Sequence, residues 1–130
     1  MADVRSQLGA RPSIGTVQIT LFVPSVDRDS QPINRELWCR AALEVLGKLF
    51  RGATAFPPGR GVWRDDDQGG VLVFDETVLV TSYAAAVDVT ETALAELRRF
   101  LHRMGREARQ GEVGLVIDGS YHGITEYDPE

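Results

Sequence analysis

The chain has 130 residues, of which 43% are apolar and 25% charged, with a formal net charge of −5 and one cysteine, Cys39. That length is one domain's worth and buries roughly two-thirds of its unfolded surface, so no staple is needed to complete a core. The acidic balance argues against nucleic acid as a partner, which needs a basic footprint, and the lone cysteine excludes an internal disulfide.

Residues 1–14 are polar and contain Gly9, Pro12 and Ser13. They read as a flexible arm ahead of a single domain over 15–126. In Thr16–Val23 the apolar Val17, Ile19 and Leu21 alternate with Gln18 and Thr20, the period of a half-buried strand that Pro24 ends. A polar loop follows to Ile33. Asn34 is placed to cap a helix whose apolar stripe is Trp38, Ala42, Val45, Leu46, Leu49 and Phe50, with Gly52 as its stop.

Ala53–Phe56 is a short strand, interrupted by Pro57-Pro58, which cannot donate to a ladder. Gly61–Arg64 resumes it and Asp65–Gly70 turns the chain. Val71–Tyr83 is one long bent strand or a hairpin. Thr90 caps a second helix with the stripe Leu94, Leu97, Leu101, Met104 and Ala108, stopped by Gly111. Glu112–Ile117 is a strand, and Asp118-Gly119 is a two-residue hairpin signal that returns the chain over Ser120–Thr125. The last five residues are expected to fray.

This order, βαββαβ with an extra C-terminal edge strand, is that of an α+β ferredoxin-like two-layer sandwich. Two helices cover one sheet face. The other face, to which Phe22, Phe74 and Tyr83 are assigned, needs a polar surface or a partner, and a homodimer or homotrimer would supply one.

The first candidate site is the corner Gly59, Arg60, Gly61, Trp63 and Arg64. Glycines let backbone amides approach an anion, the guanidiniums of Arg60 and Arg64 would hold it, and Trp63 would stack. The same residues also make an ordinary rigid strand corner. The second is the hairpin, where His122 with Asp118 or Glu76 could form an acid–base set. Tyr121 and His122 point to opposite strand faces. The third is the helix face carrying Arg98, Arg99, His102, Arg103, Arg106 and Arg109, an acidic-partner surface or a solvated face paired with Glu96 and Glu107. Two histidines leave little material for a metal. Cys39 is expected to pack beneath the sheet, and no cofactor is expected.

The pieces Gly52-Ala-Thr, Gly61-Val-Trp-Arg64 and Gly69-Gly70, with the strand through Glu76, resemble a family of small uncharacterised bacterial α+β proteins with a Gly-x-Trp-Arg…Gly-Gly signature. The likeness covers roughly residues 16–110 and implies no catalytic residue. A looser likeness, of fold order alone, is to PII-like sensors, which bind nucleotides near the loop where Gly59–Gly61 falls here.

The leading expectation is therefore a non-catalytic oligomeric module that binds a small anionic ligand or a partner protein near Gly59–Trp63. The alternatives are a small hydrolase or isomerase built on His122, and a defence or antitoxin-like interaction subunit using the arginine face. No segment approaches the roughly 20 apolar residues that span a bilayer, and Met1–Gly15 has no signal-like apolar run, so a cytoplasmic protein of bacterial type, without membrane partners, is expected.

Overall fold

The computed structural model describes residues 1–12 and 15–130. Its elements are α1 (Val4–Leu8), β1 (Val17–Pro24), α2 (Arg35–Phe50), β2 (Thr54–Ala55), β3 (Gly59–Asp65), β4 (Val71–Ala84), α3 (Glu91–Glu107), β5 (Val113–Ile117) and β6 (Ser120–Ile124). The expected loose arm contains a one-turn helix, α1, because the Asp3 side chain accepts from Ser6 N–H and Gly9 ends the turn left-handed. Ser13 and Ile14 lie outside the described residues.

The sheet is antiparallel and runs β2-β4-β1-β5-β6, with β3 also paired to β4. Val71–Tyr83, for which a strand or a hairpin was open, is one 14-residue strand. One of its edges pairs with β1 over 77–84. The other edge pairs with β3 over 71–77 and with β2 at 80–81.

Strand alternation sends Ile19, Leu21 and Val23 of β1, and Val78, Val80 and Ala84 of β4, to one face, all of them buried. Trp38, Ala42, Leu46 and Phe50 of α2 recur every fourth residue and pack there. Leu97, Leu101, Met104 and Ala108 of α3 join them, with Ala93 and Phe100 in place of Leu94, which stays exposed. The guanidinium of Arg103 stacks 5.2 Å from the Trp38 ring and ties the helices together.

Both helix starts are capped as expected: Asn34 accepts from Leu37 N–H at 3.1 Å and Thr90 from Ala93 N–H at 3.1 Å. The end of α2 differs. Arg51 (φ 76°), and not Gly52, takes the left-handed turn, held by an ion pair of 2.7 Å to Asp88. Asp118 (φ 51°) and Gly119 (φ 83°) make the tight turn before β6, a geometry that needs positive φ at both residues.

The expected fraying after β6 is not seen. Residues 125–130 form a strap across α3. Tyr127 donates to the Gln110 carbonyl at 2.8 Å and its ring meets His102 edge-on, with centroids 5.9 Å apart. The strap is why His102 and Gly105 are buried although they lie off the apolar stripe. A Cβ at Gly105 would overlap the Tyr127 ring.

Two stability outcomes follow from this packing. Leu21→Ala should lose about 2–5 kcal/mol in urea unfolding, since the site is fully enclosed. Gly105→Ala should displace the strap and cost about 1–3 kcal/mol, read as a lower unfolding midpoint together with cleavage of residues 125–130 by a protease that spares the wild type.

Candidate functional site

Beyond the point where β1 ends, β3 and β4 continue as a two-stranded arm. Its cross-strand pairs run from Gly59–Thr77 and Arg60–Glu76 at the base to Asp65–Val71 at the tip. At the tip Asp65 accepts from Asp67 N–H at 3.2 Å and Gly69 and Gly70 turn left-handed. The arm carries exposed Val62, Trp63, Val71, Leu72 and Phe74. An isolated two-stranded ribbon is marginal in water, so so much apolar surface on one is unusual.

The arm's base forms a depression of about 480 Å³. Ser25, Val26 and Ser30 of the β1–α2 loop line one side, and Arg60, Gly61, Phe74, Asp75 and Glu76 the other. Arg35, the first residue of α2, reaches Glu76 Oε1 with its Nη1 at 3.4 Å. Two guanidiniums, the carboxylates of Asp75 and Glu76 and an aromatic ring thus meet where strand pairing changes partner. The Glu76 side chain is 60% exposed, so its charge is free to face a ligand.

The corner expected from the sequence is only partly assembled. Arg60 and Gly61 lie at the depression, and Gly59 pairs with Thr77 one rung before them. Trp63 pairs with Val73 and, by alternation, projects from the arm face opposite Arg60 and Arg64. Arg64 bonds its own neighbour, Asp66, through two nitrogens. Phe74 was assigned to the sheet face that the helices leave free. Its parity with Val78 and Val80 puts it on the helix side, past the reach of the helices and 75% exposed. Phe22 and Tyr83 do lie on the free face, where Thr20 and Thr81 pair their hydroxyls at 3.0 Å.

Of the hydrolase alternatives, the pairing of His122 with Glu76 is not brought together. Asp118 and His122 sit on the β5–β6 hairpin at one end of the sheet, and Glu76 sits on β4 across β1 and β5 from them. Tyr121 instead donates to Glu112 Oε2 at 2.6 Å, lying over Gly114, where a Cβ would collide with its hydroxyl. Burial first, and then the bond to the Glu112 carboxylate and its charge, push the Tyr121 pKa up to about 12. The spacing of Glu112 and Tyr121 carries no sequence signal, because the pairing register of β5 and β6 creates the contact.

The arginine face is occupied. Arg98 holds Asp128 at 2.7 and 3.0 Å, Arg103 pairs with Glu107, and Arg109 reaches Asp29 at 2.7 Å. Cys39 is partly buried against the core, and burial pushes its thiol up, away from nucleophilic use. A second cavity of about 390 Å³, lined by Phe50, Arg51, Phe56 and Tyr83 among others, had no sequence signal. It depends on the left-handed Arg51 and on the gap beside the two-residue β2. Among the described residues no helix is long and apolar enough to cross a membrane.

No protein-family model matches the chain, and no curated relative does. Two solved structures share its fold. A phage SAM lyase in complex with S-methyl-5'-thioadenosine superposes with a TM-score of 0.64 at 16% identity, covering 89% of this chain and 94% of that one. A phage SAM lyase in the apo state superposes with a TM-score of 0.57 at 15% identity, covering 92% and 97%. The expectation of a non-catalytic module is corrected by these neighbours, since the architecture at nearly full length is that of an enzyme.

Tyr121 yields a pH outcome. Its folded pKa is raised above the ordinary value of about 10, so its contribution to stability is present below pH 10 and is lost as pH rises through 12. Tyr121→Phe should therefore flatten the fall of the urea midpoint over that alkaline range, measured beside wild type.

Proposed function

We propose that the protein is a small lyase acting on SAM or a closely related sulfonium nucleoside, at the base of the β3–β4 arm. The observation that carries this reading is the near-full-length likeness to a phage SAM lyase that holds S-methyl-5'-thioadenosine. The chemistry of the depression supports it. A sulfonium cation is matched by the Glu76 carboxylate, an amino-acid carboxylate by the Arg60 guanidinium, and a purine by the exposed ring of Phe74. The order β3-β4-β1-β5 with two helices on one face supports the ferredoxin-like assignment of the fold.

A lyase adds no water. When the carbon–sulfur bond breaks, the electron pair leaves on sulfur, and a neutral thioether departs without needing a proton. The carbon then takes its new bond from within the substrate, through ring closure by the substrate's own carboxylate or through loss of a neighbouring proton to a base. Glu76 is placed to offset the positive charge on sulfur and, in the second course, to take the proton. Arg35, at 3.4 Å, keeps the carboxylate oriented.

The depression is open in one chain. A second copy packed on the apolar arm would close it and exclude water. We therefore include a homodimer or homotrimer in the proposal.

Incubation of the protein with SAM should release S-methyl-5'-thioadenosine with no solvent oxygen-18 on the carbon that carried the sulfur. Glu76→Gln should lower turnover about 100-fold or more at an unchanged unfolding midpoint, and Arg60→Ala should act mainly on KM. A wild-type protein that neither consumes SAM nor binds S-methyl-5'-thioadenosine by calorimetry would overturn the reading. Oxygen-18 on that carbon would replace the lyase with a hydrolase. A single-chain native mass at the assay concentration would remove the oligomer.

A further inference from the structure

The contact between α3 and the strap goes beyond the arm site and its chemistry. The side chain of His102 is only 8% exposed, and its Nδ1 accepts the backbone N–H of Asp128 at 2.7 Å. A ring nitrogen that accepts carries no proton, so the closed strap requires neutral imidazole protonated on Nε2.

The charges that face this ring come from α3 and from the strap. Arg98 and Arg106 lie about one turn to either side of it. Arg98 gives two bonds to the Asp128 carboxylate, and Arg106 donates to the Asp128 carbonyl and lies 4.0 Å from Glu130. Asp128 Oδ2 is 3.4 Å from Nδ1. Tyr127 packs edge-on to the ring, and its hydroxyl feels the Glu112 charge from the start of β5.

Protonating Nδ1 turns the acceptor for Asp128 N–H into a second donor, and two donors then face each other in a closed site. It also adds a third cation beside Arg98 and Arg106. The one adjacent carboxylate is already engaged by Arg98. Arg98 also holds the Asp128 carboxyl below the usual carboxylate range, so Asp128 stays ionised where an ordinary imidazole titrates, between pH 5 and 8.

We infer that His102 and the strap form an acid-released latch, in which neutral His102 holds residues 125–130 against α3 and protonated His102 lets them go. The closed form binds no proton at Nδ1 and the released form binds one. The closed-to-open ratio therefore falls as pH falls, by up to about tenfold per pH unit for the one proton taken up. Release bares the Gly105 groove and strips Arg98 and Arg106 of their strap partners, exposing a basic surface on an acidic protein.

The test is amide exchange at Asp128 N–H, corrected for the intrinsic rate, together with nitrogen-15 shifts of the His102 ring, on the full chain from pH 7.5 to 5.0. The expected result is protection that falls by up to about tenfold per unit as the ring gains its second proton. Protection that stays constant while the ring titrates overturns the latch, as does a strap that opens while the ring stays neutral. His102→Asn puts a non-titrating oxygen at the position of Nδ1 and should keep the strap protected at both ends of the range. An Asn variant that is protected at neutral pH and opens with acid as wild type does would equally overturn it. If the variant fails to fold, the wild-type ring titration decides by itself.

Discussion

The backbone ladder along β4 is what the rest of the molecule hangs on. Over 77–84 this strand pairs with β1, meets β2 at 80–81, and sends Val78, Val80 and Ala84 into the core. Over 71–76 the same strand has left the sheet's centre and pairs with β3 alone. Because the ladder is continuous, the arm inherits the register of the core. Core burial fixes that register, since a slip of one residue would turn Val78 and Val80 out to solvent. Arg60 stands opposite Glu76 on the same strand whose Val80 stands opposite Leu21.

That coupling gives the candidate site a rigid foundation. Arg35 is held by the capped start of α2, Glu76 by the β4 rung next to the last one shared with β1, and Arg60 by the first rungs of β3. Each belongs to a different element, and only the packing of α2 on the sheet brings the first toward the other two. Charged groups carried on regular elements are positioned more sharply than groups on loops, which suits a site that must hold a cationic sulfur against a carboxylate.

The two long edges of the structure are finished in different ways. At the arm edge the apolar residues are left exposed, which is the condition for a partner. At the other edge the strap after β6 returns to the molecule and engages Arg98 and Arg106 of α3. The strap binds through the Asp128 N–H and carbonyl, the Tyr127 hydroxyl, one bidentate ion pair and one aromatic ring inserted above a glycine. The exposed ion pair by itself is worth little in water. The enclosed ring and the N–H aimed at His102 give the contact its specificity.

Much of the architecture was legible in the chain. Alternation marked β1, fourth-residue spacing marked both helices, Asn34 and Thr90 marked their starts, and Asp118-Gly119 marked the last turn. These are local signals, set by the periods of 2 and 3.6 residues and by backbone groups that neighbouring side chains must satisfy. What the chain could not display is pairing across distance. The fraying expected at the end is replaced by a strap because Tyr127 finds a slot that only the folded α3 and Gly105 create. The burial of His102, the bond from Tyr121 to Glu112, and the separation of Trp63 from Arg60 all follow from registers closed by long-range contacts. The sequence by itself determined the elements, their order and which faces are apolar. Tertiary structure decided which charged groups meet, because that depends on which strand lies beside which, and the burial of one core face, summed over the whole sheet, makes that choice.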